Sequence, residues 1–439
     1  MALYSCFNLA NLRRLSSVSS SKQPLRHIRP NSTTLANAEP RDHECSEAGI
    51  THLFRYVRDN HDRLSLYTMC GYMERLHSAN LADIELRDLL RKKLLDSLGD
   101  INSAMILGRV LYLLSKFDNV DDDFFVKITD HIYRNQLYTI GESPRLWCRY
   151  FKFIGDNRIY HGPLLEVLAK RYHEYLCRHM ADGSDGYPRR LQESAAIAAW
   201  ALAITASDLS LDDLFRSMLT FVLQPGVERH VLIRVYWSAA VSGRLLNGLD
   251  LTSISAAIDE TLSNPDVGVR HKSHLHQLYT ILRCLNASGI TDDVLLNRCL
   301  ASLHSMRYGY NDSKMSTSQR YVSDVLVRLG IPHKVELLTP DLLSIDIAIE
   351  GGGERIALEV DGPLHFTRVC HGTHLGQPML TGPTRMKHNF LRSSGWHVIS
   401  APPVKLDDVD MMSSVSCVDS FYKRLLLNSG SRYLTKLLG

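Results

Sequence analysis

From about residue 44 to residue 329 the apolar positions recur three and four apart, the spacing of helices that bury one face or more. Met105 to Lys116, Ala195 to Thr205 and Leu275 to Leu285 are apolar over most of their surface, so each is expected to pack between neighbours. The same punctuation follows each of them: Asn119-Val120-Asp121-Asp122-Asp123-Phe124, Ser210-Leu211-Asp212-Asp213-Leu214 and Gly289-Ile290-Thr291-Asp292-Asp293-Val294. An apolar helix ends there, an Asp or Thr is available as the next cap, and acidic residues fall in a first turn that favours them. Weaker copies stand at Asn80-Leu81-Ala82-Asp83, His161-Gly162-Pro163 and Asp250-Leu251-Thr252. Successive copies lie roughly forty residues apart, the period of a helix-hairpin repeat. The pattern therefore predicts stacked hairpins whose second helices start near Asp122, Asp212 and Asp293. It also places Trp147, Trp200 and Trp237 in packing rather than in base stacking.

After residue 329 the period changes from helical to alternating. His333 to Thr339 and Ser344 to Glu350 read as strands around a Thr-Pro-Asp turn. Gly351-Gly352-Gly353 leads into a third strand at Ile356, and Ile345, Ile347 and Ile349 are expected to face a core with Asp346 on the opposite side. A helix follows from about Thr384 to Ser394, stopped by Gly395, then a strand from Trp396 to Ser400. Val415 to Leu438 reads as one amphipathic helix packed back on these elements.

The predicted fold is thus mostly α: a helical-hairpin repeat, or α-solenoid, body followed by a small C-terminal α/β module. With 439 residues, 45% of them hydrophobic and 22% charged, the chain has material for two or more cores. The expected divisions are 1–43 as a leader, 44–310 as the repeat body and 316–439 as the module, joined through the polar stretch Tyr308 to Thr317.

Charge separates the leader from the rest. The chain is formally +3, yet Arg13, Arg14, Lys22, Arg26 and Arg29 face no acidic residue up to Ala38, which leaves the body at −2. An Arg- and Ser-rich start with Phe7, Leu9, Leu12 and Leu15 on a stripe reads as a transit peptide, to the mitochondrial matrix first and a plastid second. No apolar run approaches the roughly twenty residues of a membrane span. Nine scattered cysteines without a CxxC pair argue for reduced thiols. Because the body is slightly acidic, any nucleic-acid contact must come from local patches.

Candidate chemistry concentrates in Ile356 to Phe366, IALEVDGPLHF, where Glu359 and Asp361 share one strand face and His365 follows a Gly-Pro turn. Like charges side by side need a metal, a proton or a cation between them. Asp346 joins them if the strands pair, and Arg385, Lys387, His388 and Arg392 lie on the following helix as candidate phosphate contacts. The plainer readings are solvated strand and helix faces, and a turn at Asp361-Gly362-Pro363. Cys370, His371 and His374 are metal-ligand types near His365, but they lack the paired spacing of zinc sites, so the stretch to Leu380 reads as a Gly- and His-rich loop.

These motifs carry a resemblance. The IALEVDGPLHF block, Leu380-Thr381-Gly382 with Thr384, Lys387 and Leu391, and Gly395-Trp396-His397-Val398-Ile399 resemble the RAP domain, an RNA-binding module also found at the C-terminus of FAST kinase-domain proteins. The similarity covers roughly 344–405 and departs at Ala401 to Asp408, where the family's aromatic closing segment is replaced by APPVKLDD. It implies a restriction-endonuclease-like fold, in which Asp346 and Glu359 match the first two positions of a Mg²⁺-holding set and Asp361 stands where its lysine would be. His365 or Lys387 is then left to supply the missing cation or base. The implied function is RNA binding in organellar RNA processing, RNA stability or ribosomal RNA and ribosome assembly, with mitochondrial ribosome proteins as partners and no cofactor required. A Mg²⁺-dependent endoribonuclease using Asp346, Glu359, Asp361 and His365 is the alternative, and a structural subunit of an organellar ribonucleoprotein the third.

Overall fold

The computed structural model describes residues 47–78, 84–116, 122–182, 187–206, 209–244, 251–263, 269–289, 293–305, 315–371, 379–401 and 415–438. The leader, most of the Tyr308 to Thr317 stretch, His374 and most of Ala401 to Asp408 therefore lie outside the described residues. Two compact units are present, divided between Asn157 and Arg158.

The first unit holds α1 (Glu47–Asn60), α2 (Leu66–Ser78), α3 (Ile84–Asp96), α4 (Ala104–Leu114), α5 (Asp122–Arg134) and α6 (Pro144–Asn157). Here α2, α4 and α6 stack in succession. The second unit opens with β1 (Ile159–Tyr160) and α7 (Gly162–Ala181), α8 (Arg189–Thr205), α9 (Asp212–Val222), α10 (Arg229–Val241), α11 (Leu251–Ser263), α12 (Val269–Ala287) and α13 (Asp293–Ser305). Its helices stack in two files, α8 on α10 on α12, and α7 on α9 with α11 on α13, as hairpin repeats do.

Helices start at Asp122, Asp212 and Asp293 as the punctuation predicts, and the weaker copies precede starts at Ile84, Gly162 and Leu251. One detail differs. Asp212 and Asp213 occupy the first turn of α9 without capping it, since Leu211 is the cap residue and makes no side-chain cap bond. Trp147 and Trp237 are buried among the helices as expected, and Trp200 is partly buried.

The remainder of the second unit is α14 (Thr317–Arg328), β2 (Lys334–Leu338), β3 (Ser344–Gly351), β4 (Glu354–Val360), β5 (Phe366–Val369), β6 (Met379–Leu380), α15 (Gly382–Ser393), β7 (His397–Ala401), α16 (Val415–Leu427) and α17 (Arg432–Leu438). One sheet runs β2-β3-β4-β7, antiparallel except for the β4/β7 pair. Gly352 and Gly353, with φ of 58° and 82°, make the tight β3–β4 turn that residues with a Cβ resist. On one face Ile347, Ile349, Ile356, Leu358 and Val360 pack against α14, α16 and α17. On the other, Ala348 and Ala357 meet Leu391 of α15 together with Trp396. Ile345, expected with Ile347 and Ile349, instead packs in this second cluster beside Leu343 at the strand's start.

Two expectations are corrected. The stretch after His365 is not simply a loop: β5 pairs in parallel with β1 and antiparallel with β6. Its partner β1 lies some two hundred residues upstream, beyond the reach of local pattern. The C-terminal tail forms two helices rather than one, because the chain turns at Gly430 with φ of 83°.

The module also rests on the repeats that precede it. Helix α15 packs on α8 and α10, so tightly that a Cβ on Gly382 would stand 2.0 Å from the Ala203 carbonyl oxygen. From α12, Arg283 donates to Asp341 Oδ2 and Ser394 Oγ, each at 3.0 Å, and lies 4.4 Å from the centre of the Phe390 ring.

Candidate functional site

A buried polar cluster fills the space between β4 and α15. Alternation sends Glu359 and Asp361 to the α15 side of the sheet, each only 1% exposed. Continuing the β3/β4 register one step beyond Ile347 and Leu358 sets Asp346 opposite Glu359. There Asp346 Oδ2 accepts the Val360 backbone N–H at 2.8 Å, taking over where the strand ladder stops. The expected convergence of the three carboxylates on one sheet face is therefore present.

Lys387, from the middle of α15, closes the cluster. Its Nζ donates to Glu359 Oε2, and its side chain is 12% exposed. Burial alone would lower the Lys387 pKa, but Glu359, aided by Asp346 and Asp361, outweighs it and raises the value. Asp361 is held differently. Its Oδ2 accepts from Ser400 Oγ, its backbone N–H donates to the Ala401 carbonyl at 3.0 Å, and two imidazoles flank it. His365 Nδ1 stands 3.3 Å from Oδ1, and His388 Nε2 stands 3.6 Å from Oδ2. His365 Nδ1 also lies 3.2 Å from Thr384 Oγ1, which in turn lies 3.0 Å from Thr381 Oγ1.

Desolvation dominates the electrostatics. Burial, reinforced by Asp346 and Asp361 against the pull of Lys387, pushes Glu359 up to about 7. Burial also pushes Asp361 up to about 6, against the Ser400 hydrogen bond and Lys387. His365 and His388 are both pushed down to about 4, by burial first and then by the Lys387 ammonium. Near neutral pH the imidazoles are therefore uncharged, and Glu359 takes up a proton at a higher pH than an exposed glutamate does.

This arrangement revises the helix expected to face nucleic acid. Lys387 points at the carboxylates and His388 is fully buried, so neither lies on an outer phosphate-binding face. Arg392 is exposed and donates to Asn389 Oδ1 at 3.3 Å, and Arg385 is half-buried. Ser400 is a member of the cluster that the sequence does not single out, and Thr381 and Thr384 stand out there only as part of the motif. The signal for Ser400 lies in the parallel β4/β7 register, which pairs it with Glu359.

As arranged, the cluster fits a proton or an ammonium better than a hydrated Mg²⁺ ion, which needs several open oxygen ligands. Asp346 Oδ2 is engaged by Val360, Glu359 Oε2 by Lys387 and Asp361 Oδ2 by Ser400. Glu359 Oε1 is buried without a hydrogen-bond partner, beside a lysine that already supplies a cation.

Residues 358–411 match the family model of the RAP domain, so the chain carries a RAP domain. The matched stretch takes in Glu359, Asp361, His365, Lys387 and His388, while Asp346 lies just upstream on β3. A RAP domain suggests a nucleic-acid-binding role. Among the described residues no helix is long and apolar enough to cross a membrane.

Proposed function

We propose that the protein binds organellar RNA, holding a mitochondrial transcript or ribosomal RNA for processing, stabilisation or ribosome assembly. The observation that carries this reading is the RAP match at 358–411, on a module seated on helical repeats. The basic, acid-free stretch to Ala38 supports a matrix address, with a plastid as the runner-up. Mitochondrial ribosome proteins are the partners this role implies.

Binding is favoured over cleavage by the Lys387–Glu359 pair, which neutralises within the module the charge a catalytic metal would otherwise meet. A second reading, a Mg²⁺-dependent endoribonuclease, is supported by Asp346, Glu359 and Lys387 standing together on one sheet face. One experiment tests both. The purified chain is incubated with labelled organellar RNA in EDTA, Mg²⁺ or Mn²⁺ and assayed for a shifted complex and for cleavage products. A complex that forms in EDTA, with the RNA intact in either metal, is the expected result. Cleavage that vanishes in Glu359→Gln would establish the second reading, and the absence of any complex would defeat the first.

A further inference from the structure

In the first unit, the stacked helices α2, α4 and α6 line an open cavity of about 390 Å³, within the usual range of ligand sites. Its charged lining is three arginines, Arg109, Arg145 and Arg149, against one carboxylate, Glu74. That imbalance is local. Positions 47–157 hold fifteen basic and sixteen acidic residues, so the arginines are concentrated here against the unit's average.

Several features build the site. Arg109 Cζ sits over Tyr67, 3.8 Å from the ring centre, with Nη1 donating to the Tyr67 carbonyl at 3.2 Å. Room for the guanidinium groups comes from glycines on the preceding helix of the stack. A Cβ on Gly71 would come within 2.8 Å of Arg109 Nη1, and one on Gly108 within 2.5 Å of Arg149 Nη1. The first turns of α4 and α6 also open on the cavity through Ala104, Met105 and Arg145, adding the positive ends of two helices. Burial, and then Arg145 and Arg109, lower the Arg149 pKa against the pull of Glu74, the mark of a cation crowded by like charge.

We propose that this cavity is a phosphate-binding site for single-stranded RNA, with backbone phosphates seated among Arg109, Arg145 and Arg149. The inference rests on the RNA-binding reading above and adds a second contact surface, outside the RAP domain. A single strand is the occupant because the cavity admits a nucleotide or so but not a duplex, and because the forked guanidinium suits phosphate oxygens.

The test measures binding of a labelled oligouridine of about fifteen nucleotides to the full chain by fluorescence anisotropy across a salt series. Arg109→Gln/Arg145→Gln/Arg149→Gln should weaken binding about tenfold or more and reduce the salt slope by about two, since each lost phosphate contact removes about 0.7 in single strands. Replacing the same arginines with lysine should restore the salt slope but only part of the affinity, since the charge returns without the fork. Arg145 is exposed, so Arg145→Glu alone should weaken binding while the melting temperature stays unchanged, which separates the effect from misfolding. Wild-type affinity and salt slope in both the triple Gln and the Arg145→Glu variants would overturn this inference and leave the RAP-based reading standing. A wild-type chain that binds no RNA would overturn both.

Discussion

Lys387 and Glu359 hold each other's charge where water hardly reaches, so neither can be altered without exposing the other. Removing one partner of a buried pair typically costs about 3–5 kcal/mol, because the charge left behind is uncompensated. Lys387→Ala should therefore destabilise the protein by that order at about pH 8 and by less at about pH 5, where Glu359 takes up a proton. Urea unfolding at the two pH values checks it, and an unchanged midpoint at pH 8 would mean the pair carries no stability. Glu359→Gln separates the titration from the contact. With its pKa raised from 4.5 to about 7, Glu359 contributes stability that is complete below 4.5 and lost as the pH rises through 7. Gln has no such loss, so relative to the parent the variant should gain stability between about pH 5 and pH 8, on top of an offset from the lysine left without its main partner. His365 and His388 act in the opposite sense: their lowered pKa gives stability present above 6.5 and lost as the pH falls through about 4. They are common to both proteins and leave the difference unaffected.

At the scale of elements, α15 is the piece on which the module depends, since one side faces the carboxylates and the other faces α8 and α10. Gly382→Ala should wedge α15 away from α8, because the new methyl would meet backbone at Ala203, which has no room to yield. A loss of about 1–3 kcal/mol, the usual range for overpacking, is expected in thermal or urea unfolding. Full stability would show that α15 does not dock there. This double burial also explains what could be read in advance. The helix starts at Asp122, Asp212 and Asp293 and the strands around Ile347 and Leu358 were legible, because acidic first turns and alternating apolar residues are local signals. Asp346, Glu359 and Asp361 could be placed on one face for the same reason. The inward turn of His388 was not legible, because a basic residue on an amphipathic helix reads as wet unless the sequence reveals what lies across from it, whereas that of Lys387 was anticipated only through the family resemblance, which left it or His365 to supply the cation. Pairing of β5 with β1 was hidden likewise, being decided by a partner outside any local window.

For the whole molecule, the leader and the module's seat make separate predictions. If the basic stretch before Ala38 directs import, Arg13→Glu with Arg14→Glu should abolish delivery to the organelle, checked by import of the labelled chain into isolated mitochondria. Undiminished import would dismiss that address. The module's seat bears on where the chain can be divided. The polar stretch Tyr308 to Thr317 suggested a boundary near 310, yet the compact units divide between Asn157 and Arg158, and the module shares the second unit with α7 to α13. A fragment of residues 316–439 would uncover the buried stretch Thr381 to Thr384, and would lose Arg283 from Asp341 and Ser394 and β1 from β5. Each loss leaves buried polar or apolar surface without its partner. A fragment of residues 158–439 keeps all of these contacts and should unfold in one cooperative transition, whereas 316–439 should melt at a lower temperature and bind a hydrophobic dye. Equal melting temperatures for the two fragments would show that the module is stable without its seat. In that case the carboxylate–lysine cluster would depend on the sheet and α15 alone, and RNA binding by the module could be assigned without the repeats.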